Sequence, residues 1–394
     1  MKLFAKESKR PKVPGRKDFE QLAPAERVIT FYSEDGASWP HFAPIVEQLT
    51  RAHGETINYL TSSASDPILT TSRAGVRAFF VGEGVKRAFF FQTMETGVLV
   101  ATVPQLGISV LPRSRLAATL GTRYVYVFHS MVSTHMIYEP DGFDHYDTVM
   151  CVGPYMVEEI RRREALAGLA AKELVEHGSS RLDAILAVRE PVDQPILEQP
   201  TVLIAPSWGP TCIFETVGVE VIRTLLTAGC RVIARPHPMT TKRTPGTVER
   251  IAATFGSDPN FTLDDDIVAA TSLLQSAVMV SDWSGAALEY AFGLERPVIF
   301  LDVDRKVNNP SYPELDIVPF EVSVRDQIGV VVAPDQLDQL GQAVHDLVAS
   351  AGDWRERIRV VRDAHVFNVG RSAEFAASYL AAAADAFRAS RGVR

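Results

Sequence analysis

Cysteine is scarce in this chain. Cys151, Cys212 and Cys230 are the three among 394 residues, and their separation fits neither a zinc spacing nor a disulfide framework. A reducing, cytoplasmic location is therefore the expectation. An excess of positive charge is missing too. Lys and Arg number 40 against 48 Asp and Glu, a net charge of −8, which argues against a general nucleic-acid binder. No apolar run is long and unbroken. The most apolar stretch, residues 88–112, is interrupted by Gln92, Glu95, Gln105 and two prolines, so it reads as core elements and not as a membrane span. The N-terminus lacks the apolar segment of a secretory leader, and none is expected. Gly-x-Gly-x-x-Gly, the P-loop and Gly-x-Ser-x-Gly are all absent. Ordinary dinucleotide, nucleoside-triphosphatase and serine-hydrolase readings lose support accordingly.

What is present is an apolar share of 46% with ordinary Gly and Pro content, the composition of a globular protein long enough for two cores. Residues 1–17 are basic, with Lys2, Lys6, Lys9, Arg10, Lys12, Arg16 and Lys17. The plain reading of residues 1–24 is a solvated, flexible tail; the sharper one is attachment to an anionic membrane surface at the inner face of the cell membrane. From residue 25 to 190 short apolar runs (27–32, 57–60, 78–81, 97–103, 124–128, 148–152) alternate with helical segments such as 40–52 and 155–169. This is the pattern of a parallel sheet covered by helices. Residues 191–200 carry three prolines and no periodicity, the mark of a linker. A second alternation occupies 201–350: strands at 201–205, 231–234, 298–301 and 329–332, helices at 211–227, 247–255, 266–275 and 334–349. Helices at 352–363 and 371–391 form a segment, 351–394, expected to pack back across the domains.

The second alternation is organised around residues 277–292. A Val-rich run reaches Ser281-Asp282-Trp283-Ser284-Gly285, and a helix-compatible segment follows. Ser284 is an N-cap candidate, and Gly285 lets another group approach the backbone closely. The amides of Gly285, Ala286 and Ala287 are expected to face outward, where an anion binds. In open α/β sheets ligands sit at the carboxyl ends of strands. Arg235-Pro236-His237-Pro238 ends another strand, with two prolines stiffening the backbone around one imidazole; a cation and a rigid His there suit an anion. His129 follows the 124–128 run and is a candidate general base, with a hydrogen-bonded structural His as the plainer reading. His135 makes no metal-ligand spacing with it and reads as structural. Asp264-Asp265-Asp266 reads as helix capping before a metal site, and Asp302 and Asp304 as loop residues.

Together these motifs resemble the CDP-glycerol glycerophosphotransferase family, the teichoic-acid and capsule polymerase relatives with the GT-B fold, over about residues 124–378. Phe128-His129-Ser130 resembles the family's Trp-His-Gly, and Gly178-Ser179-Ser180-Arg181-Leu182-Asp183 its Gly-x-Pro-Arg-x-Asp. Ala205-Pro206-Ser207-Trp208 is similar to Ala-Pro-Thr-Trp. Arg235-Pro236-His237-Pro238 matches Lys/Arg-Pro-His-Pro. Ser281-Asp282-Trp283-Ser284-Gly285 resembles Thr-Asp-Tyr-Ser-Ser, and Asn368-Val369-Gly370-Arg371-Ser372 echoes Asp-Gly-x-Ser. Ser130 stands where the family has Gly, Gly209 where it has Arg, and Gly285 where it has a second Ser.

The resemblance implies two Rossmann-type α/β domains facing across a cleft, the first on the acceptor side and the second holding the nucleotide donor. It implies a transferase that moves a polyol phosphate, glycerol phosphate first, from a CDP-activated donor to a hydroxyl of a cell-surface glycan or lipid-linked precursor. His129 is then the base; His237, Arg235, Ser284, Gly285 and Ser207 hold the donor pyrophosphate or nucleotide, and Glu289 the ribose. The scheme calls for no metal and no cofactor. Alternatives on the same fold are a glycosyltransferase using a CMP- or UDP-sugar, a sugar-nucleotide 2-epimerase, and a non-catalytic nucleotide or glycan binder.

Overall fold

A computed structural model gives the structure and describes residues 13–108, 110–189, 199–265 and 271–392. Most of the basic tail, nearly all of the proline-rich linker and Asp266 lie outside the described residues. Among the described residues no helix is long and apolar enough to cross a membrane.

Two parallel sheets carry the chain. The first has seven strands: β1 (Ile29–Ser33), β2 (Ile57–Thr61), β3 (Val76–Phe80), β4 (Val98–Ala101), β5 (Arg123–Val127), β6 (Thr148–Cys151) and β7 (Glu173–Glu176), in the order β3-β2-β1-β4-β5-β6-β7. The second has six: β8 (Thr201–Ile204), β9 (Arg231–Ala234), β10 (Phe261–Leu263), β11 (Val278–Ser281), β12 (Val298–Leu301) and β13 (Gly329–Val332), in the order β10-β9-β8-β11-β12-β13. Central strands such as β1, β2 and β11 are buried along their whole length, as strands covered on both faces must be. In each sheet the order reverses beside the first strand, between β1 and β4 and between β8 and β11. Those reversals are the switch points where open α/β sheets take ligands.

The chain divides into two compact units. The first runs to Val127 and adds Phe143–Val149 and the stretch from Ala376; the second comprises Phe128–Gly142 and Met150–Phe375. The segment carrying His129 thus groups with the second unit and not with the strand it follows. In the first unit an aromatic cluster fills the core, with Phe31 edge-on to Phe42 and Tyr32 edge-on to Phe91. The last helix, Ser372–Arg391, adds Tyr379, whose hydroxyl meets Arg123 at 2.7 Å and Thr148 at 2.7 Å. In the second unit, aliphatic residues of β8, β9, β11 and β12 pack against the helices Gly218–Thr227 and Leu340–Ala349.

Differences from the sequence expectations are local. The helix expected over 211–227 breaks into Ile213–Thr216 and Gly218–Thr227 at Gly218. A six-residue helix, Pro238–Arg243, follows His237. β7 and β10 had no sequence signal: β7 is exposed at both of its ends, and β10 is three residues long. Asp264 extends β10, its amide bonding Ala234 O at 2.9 Å.

One buried ion pair joins the helix Ala351–His365 to the end of the helix Gly285–Leu294. Arg362 Nη1 donates to Glu295 Oε1 at 2.8 Å, with both side chains below a tenth exposed. Glu295 has a positive φ of 54° at the helix end. Glu295 also takes Arg189 Nη1 at 2.7 Å, so removing Arg362 leaves its charge only partly compensated. Arg362→Ala is expected to lower unfolding stability by about 1–2 kcal/mol in urea titrations and Arg362→Ala with Arg189→Ala by about 3 kcal/mol or more; a loss under ~1 kcal/mol in the double variant would show that the cluster behaves as a surface one.

Candidate functional site

The loop after β8 and the end of β11 meet at one buried carboxylate. Asp282, 2% exposed, follows β11. Its Oδ1 accepts the Ser207 amide at 2.7 Å and its Oδ2 the Ile213 amide at 3.0 Å. Burial raises its pKa, and these amide bonds work against that rise. Asp282 therefore fixes the loop after β8, which carries Trp208. Ser281 Oγ reinforces the same loop by donating to Ala205 O at 2.8 Å.

Trp208 is half-buried between two cations. Lys306 Nζ lies 4.2 Å from its ring centroid and the Arg243 guanidinium carbon 4.7 Å. The His237 ring is 6.3 Å away. Arg243 ends the short helix whose N-cap is His237. Pro238 restricts the residue before it to extended backbone, and His237 has φ −63° and ψ 143°, the N-cap conformation. Its Nδ1 accepts the Met239 amide at 3.1 Å, which places the ring proton on Nε2 and makes that atom a donor.

Burial first, then the charge of Lys306, then that of His129, push the His237 pKa down to about 4. The ring is therefore neutral near pH 7. Burial also brings Lys306 down to about 8, against the pull of Asp282 and Cys212. A lysine less firmly charged than in water, beside a neutral N–H donor and an arginine, is an arrangement suited to an anion. Lys306 and Arg243 had no part in the sequence expectation. No spacing announces them, because one comes from the loop after β12 and the other from a helix end. Trp208 stood within a motif but carried no assigned role.

The expected residues divide. Ser284 caps its helix, accepting the Ala286 amide at 3.3 Å. The Ala287 amide turns back to Ser284 O at 3.1 Å. These two amides, expected to face outward, are thus engaged within the cap itself. Ser207 is buried and its amide serves Asp282. Arg235 Nη1 donates to Ser272 Oγ at 3.1 Å. Glu289 bonds Arg181 at 3.0 Å, each side chain 13% exposed, so it is neither a solvated acid nor an isolated one.

His129 is exposed and lies near enough to His237 for its charge to lower that pKa. The segment that follows it is pinned in place. Ser133 donates twice to Glu321, Thr134 twice to Glu159, and His135 contacts Glu159 at 3.2 Å. His135 is structural, as expected. The residue that meets the helix start is Ser130: a Cβ on Gly285 would overlap the Ser130 hydroxyl. The two departures from the family pattern, Ser130 for Gly and Gly285 for Ser, are thus one exchange between touching positions, which keeps one hydroxyl at the helix start.

The remaining motifs brace this site. Gly178, φ +91°, leaves no room for a side chain beneath Phe367 O. Asp183 accepts the amides of Gly370 and Ser372, both at 2.7 Å. The 178–183 and 368–372 motifs therefore lock to each other, and Arg181 carries that lock to the helix through Glu289.

No family model matches the chain, and no curated protein matches it in sequence. Solved structures match in fold. The wall teichoic acid polymerase TagF superposes with a TM-score of 0.63 at 12% identity, over 93% of this chain and 91% of that one. A putative UDP-N-acetylglucosamine 2-epimerase from Listeria monocytogenes gives 0.57 at 10% identity, over 88% and 94%. The UDP-GlcNAc 2-epimerase from Neisseria meningitidis bound to UDP-GlcNAc gives 0.55 at 11% identity, over 90% and 98%. The fold is the GT-B one, two parallel α/β sheets with their helices.

The Ser130–Gly285 contact makes a stability test. Gly285→Ser forces the Ser130 hydroxyl to rotate away and is expected to cost about 1 kcal/mol, the low end for overpacking. Ser130→Gly in the same chain should recover most of that loss, a coupling of about 0.5–1 kcal/mol. Additive losses in chemical unfolding would show that the two positions do not touch.

Proposed function

We propose that this protein is a transferase that takes a CDP-activated polyol, glycerol first, and moves its polyol phosphate to a hydroxyl of a glycan or lipid-linked precursor. The observation that carries the reading is the ring of donors around Trp208. His237 Nε2, Lys306 and Arg243 gather around Trp208, on loops and a short helix that follow the strands, and they suit a diphosphate. The motif order shared with the glycerophosphotransferase family and the fold likeness to a teichoic acid polymerase support the same choice.

In this reading the acceptor oxygen attacks the phosphorus bonded to the polyol. His129 takes the acceptor proton. The bond from that phosphorus to the bridging oxygen breaks, and CMP leaves with the electron pair. Charge growing on CMP is met by Lys306, Arg243 and His237 Nε2–H, groups already in place before reaction. Arg235, bonded to Ser272, adds positive charge two residues before His237, and Ser207 holds the Trp208 loop through Asp282. Glu289, oriented by Arg181, takes a ribose hydroxyl.

A second reading has its own support. The epimerase neighbour bound to UDP-GlcNAc shares the fold, and a diphosphate site does not distinguish CDP-glycerol from a nucleotide sugar. Products separate them: CMP release indicates phosphotransfer, nucleoside diphosphate release indicates sugar transfer, and an altered sugar on an intact nucleotide indicates epimerisation. The absence of CMP with CDP-glycerol and CDP-ribitol would overturn the first reading.

The roles of the histidines separate in kinetics. His129→Ala is expected to slow single turnover by roughly 10²–10⁴-fold with donor affinity nearly unchanged. His237→Ala is expected to weaken donor binding by about ten- to a hundredfold. The reverse pattern would exchange the roles.

Lys306 adds a pH test. Its pKa is lowered to about 8 at rest, and a bound diphosphate raises it. Donor affinity should therefore be level below pH 8 and fall above it by up to about tenfold per pH unit, as binding must take up a proton. Lys306→Met should bind more weakly and lose this slope. An identical slope in the variant would remove Lys306 from the site.

A further inference from the structure

A second charged site stands in the first unit, at the switch point of its own sheet. Arg87 lies on the helix Gly84–Thr93, the crossover from β3 to β4. It is 9% exposed. Its Nη1 reaches Ser62 Oγ at 3.4 Å, and Ser62 Oγ is in turn 3.0 Å from the Tyr32 hydroxyl. Its Nε is buried without a hydrogen-bond partner. Among the described residues no carboxylate forms an ion pair with it. The carboxylates of this edge are turned to other work: Asp35 Oδ1 accepts the Ala37 amide at 2.9 Å and Asp66 Oδ1 the Ile68 amide at 3.1 Å, while Glu34 is exposed.

A guanidinium whose Nε is buried unpartnered and whose hydrogen-bonding neighbours are neutral hydroxyls lacks a counter-charge, which is unfavourable. Natural cores seldom keep one unless a ligand supplies the missing charge. The surroundings say what sort of ligand. Tyr32 and Ser33 end β1; Thr61, Ser62, Ser63 and Ser65 follow one another at the end of β2. Ser38 Oγ meets Thr102 Oγ1 at 2.9 Å beyond the ends of β1 and β4. These are the three adjacent strands of the reversal, where a ligand is expected. The edge is rich in hydroxyl groups and holds one buried cation.

We propose that Arg87, with Ser62 and Tyr32, binds the phosphate of a hydroxyl-rich small molecule in the first unit. The guanidinium faces the phosphate oxygens, and the serine and threonine hydroxyls face the polyol or sugar that bears it. The site does not rest on the donor reading, since every residue in it belongs to the first unit.

The test uses the full chain labelled with ¹⁵N at arginine Nε, titrated with inorganic phosphate and with glycerol 3-phosphate, against chloride at equal ionic strength. Arg87→Met identifies the Arg87 resonance, and Arg87→Lys does so if the Met variant does not fold. The expected result is a saturable shift of that resonance with both phosphates, at least severalfold tighter for glycerol 3-phosphate, and none with chloride. In chloride buffer Arg87→Met should melt no lower than the parent, because it removes an unpaired charge, while the stabilisation given by glycerol 3-phosphate should shrink. Ser62→Ala should weaken glycerol 3-phosphate binding in the same direction. His237→Ala, which alters the other anion site, should leave the Arg87 shift in place. An Arg87 resonance indifferent to both phosphates overturns the proposal. So does an Arg87→Met protein that melts several degrees lower with its phosphate response intact, which is the behaviour of a purely structural arginine.

Discussion

The second unit depends on one buried carboxylate. Asp282 sits at the end of β11 and accepts amides from the loop after β8. That loop holds Trp208, and Trp208 sets the platform on which Lys306 and Arg243 rest. Asp282 is also the charge that helps keep Lys306 protonated. Had its oxygens no amide donors, burial would favour the neutral acid, and the loop would lose its anchor. A negative group near a site proposed for an anion looks contrary at first. Its lone pairs are occupied by backbone donors, so what it presents upward is geometry, with one lysine drawn toward it.

The balance of charge around Trp208 explains why His237 is neutral. With Lys306 beside it and burial around it, a protonated imidazole is costly. Its Nδ1 is taken by the cap of its own helix. The remaining Nε2–H is a donor that adds no full charge. In the proposed reading, a site made of one lysine of lowered pKa, one neutral donor and one exposed arginine would release an anionic product more readily than three fixed cations, because less Coulombic energy would hold it.

Much of this was legible in the sequence. The Val-rich run into Ser284, and the prolines about His237, gave strand ends, helix starts and a rigid imidazole from local chemistry alone. The α/β alternation gave both sheets apart from β7 and β10, whose short or exposed strands carry no period to read. Lys306 and Arg243 were not legible. Each is an ordinary surface-type residue in sequence, made important only by the tertiary path that brings it to Trp208. The meaning of Ser130 and Gly285 was also hidden. As separate positions they read as two departures, and as touching positions they are one conserved volume. Arg87 stayed silent for a similar reason: a cation on an amphipathic helix looks solvated until the fold places it under two hydroxyls.

The central claim is that the groups around Trp208 form a diphosphate site. Calorimetric titration of the full chain with inorganic pyrophosphate, CDP-glycerol and UDP-GlcNAc tests it most directly, repeated on a chain carrying both His237→Ala and Lys306→Met. Pyrophosphate is expected to compete with whichever nucleotide binds, and the double variant to lose at least a hundredfold in affinity for both while remaining folded. Saturable nucleotide binding of unchanged strength in the double variant would contradict it.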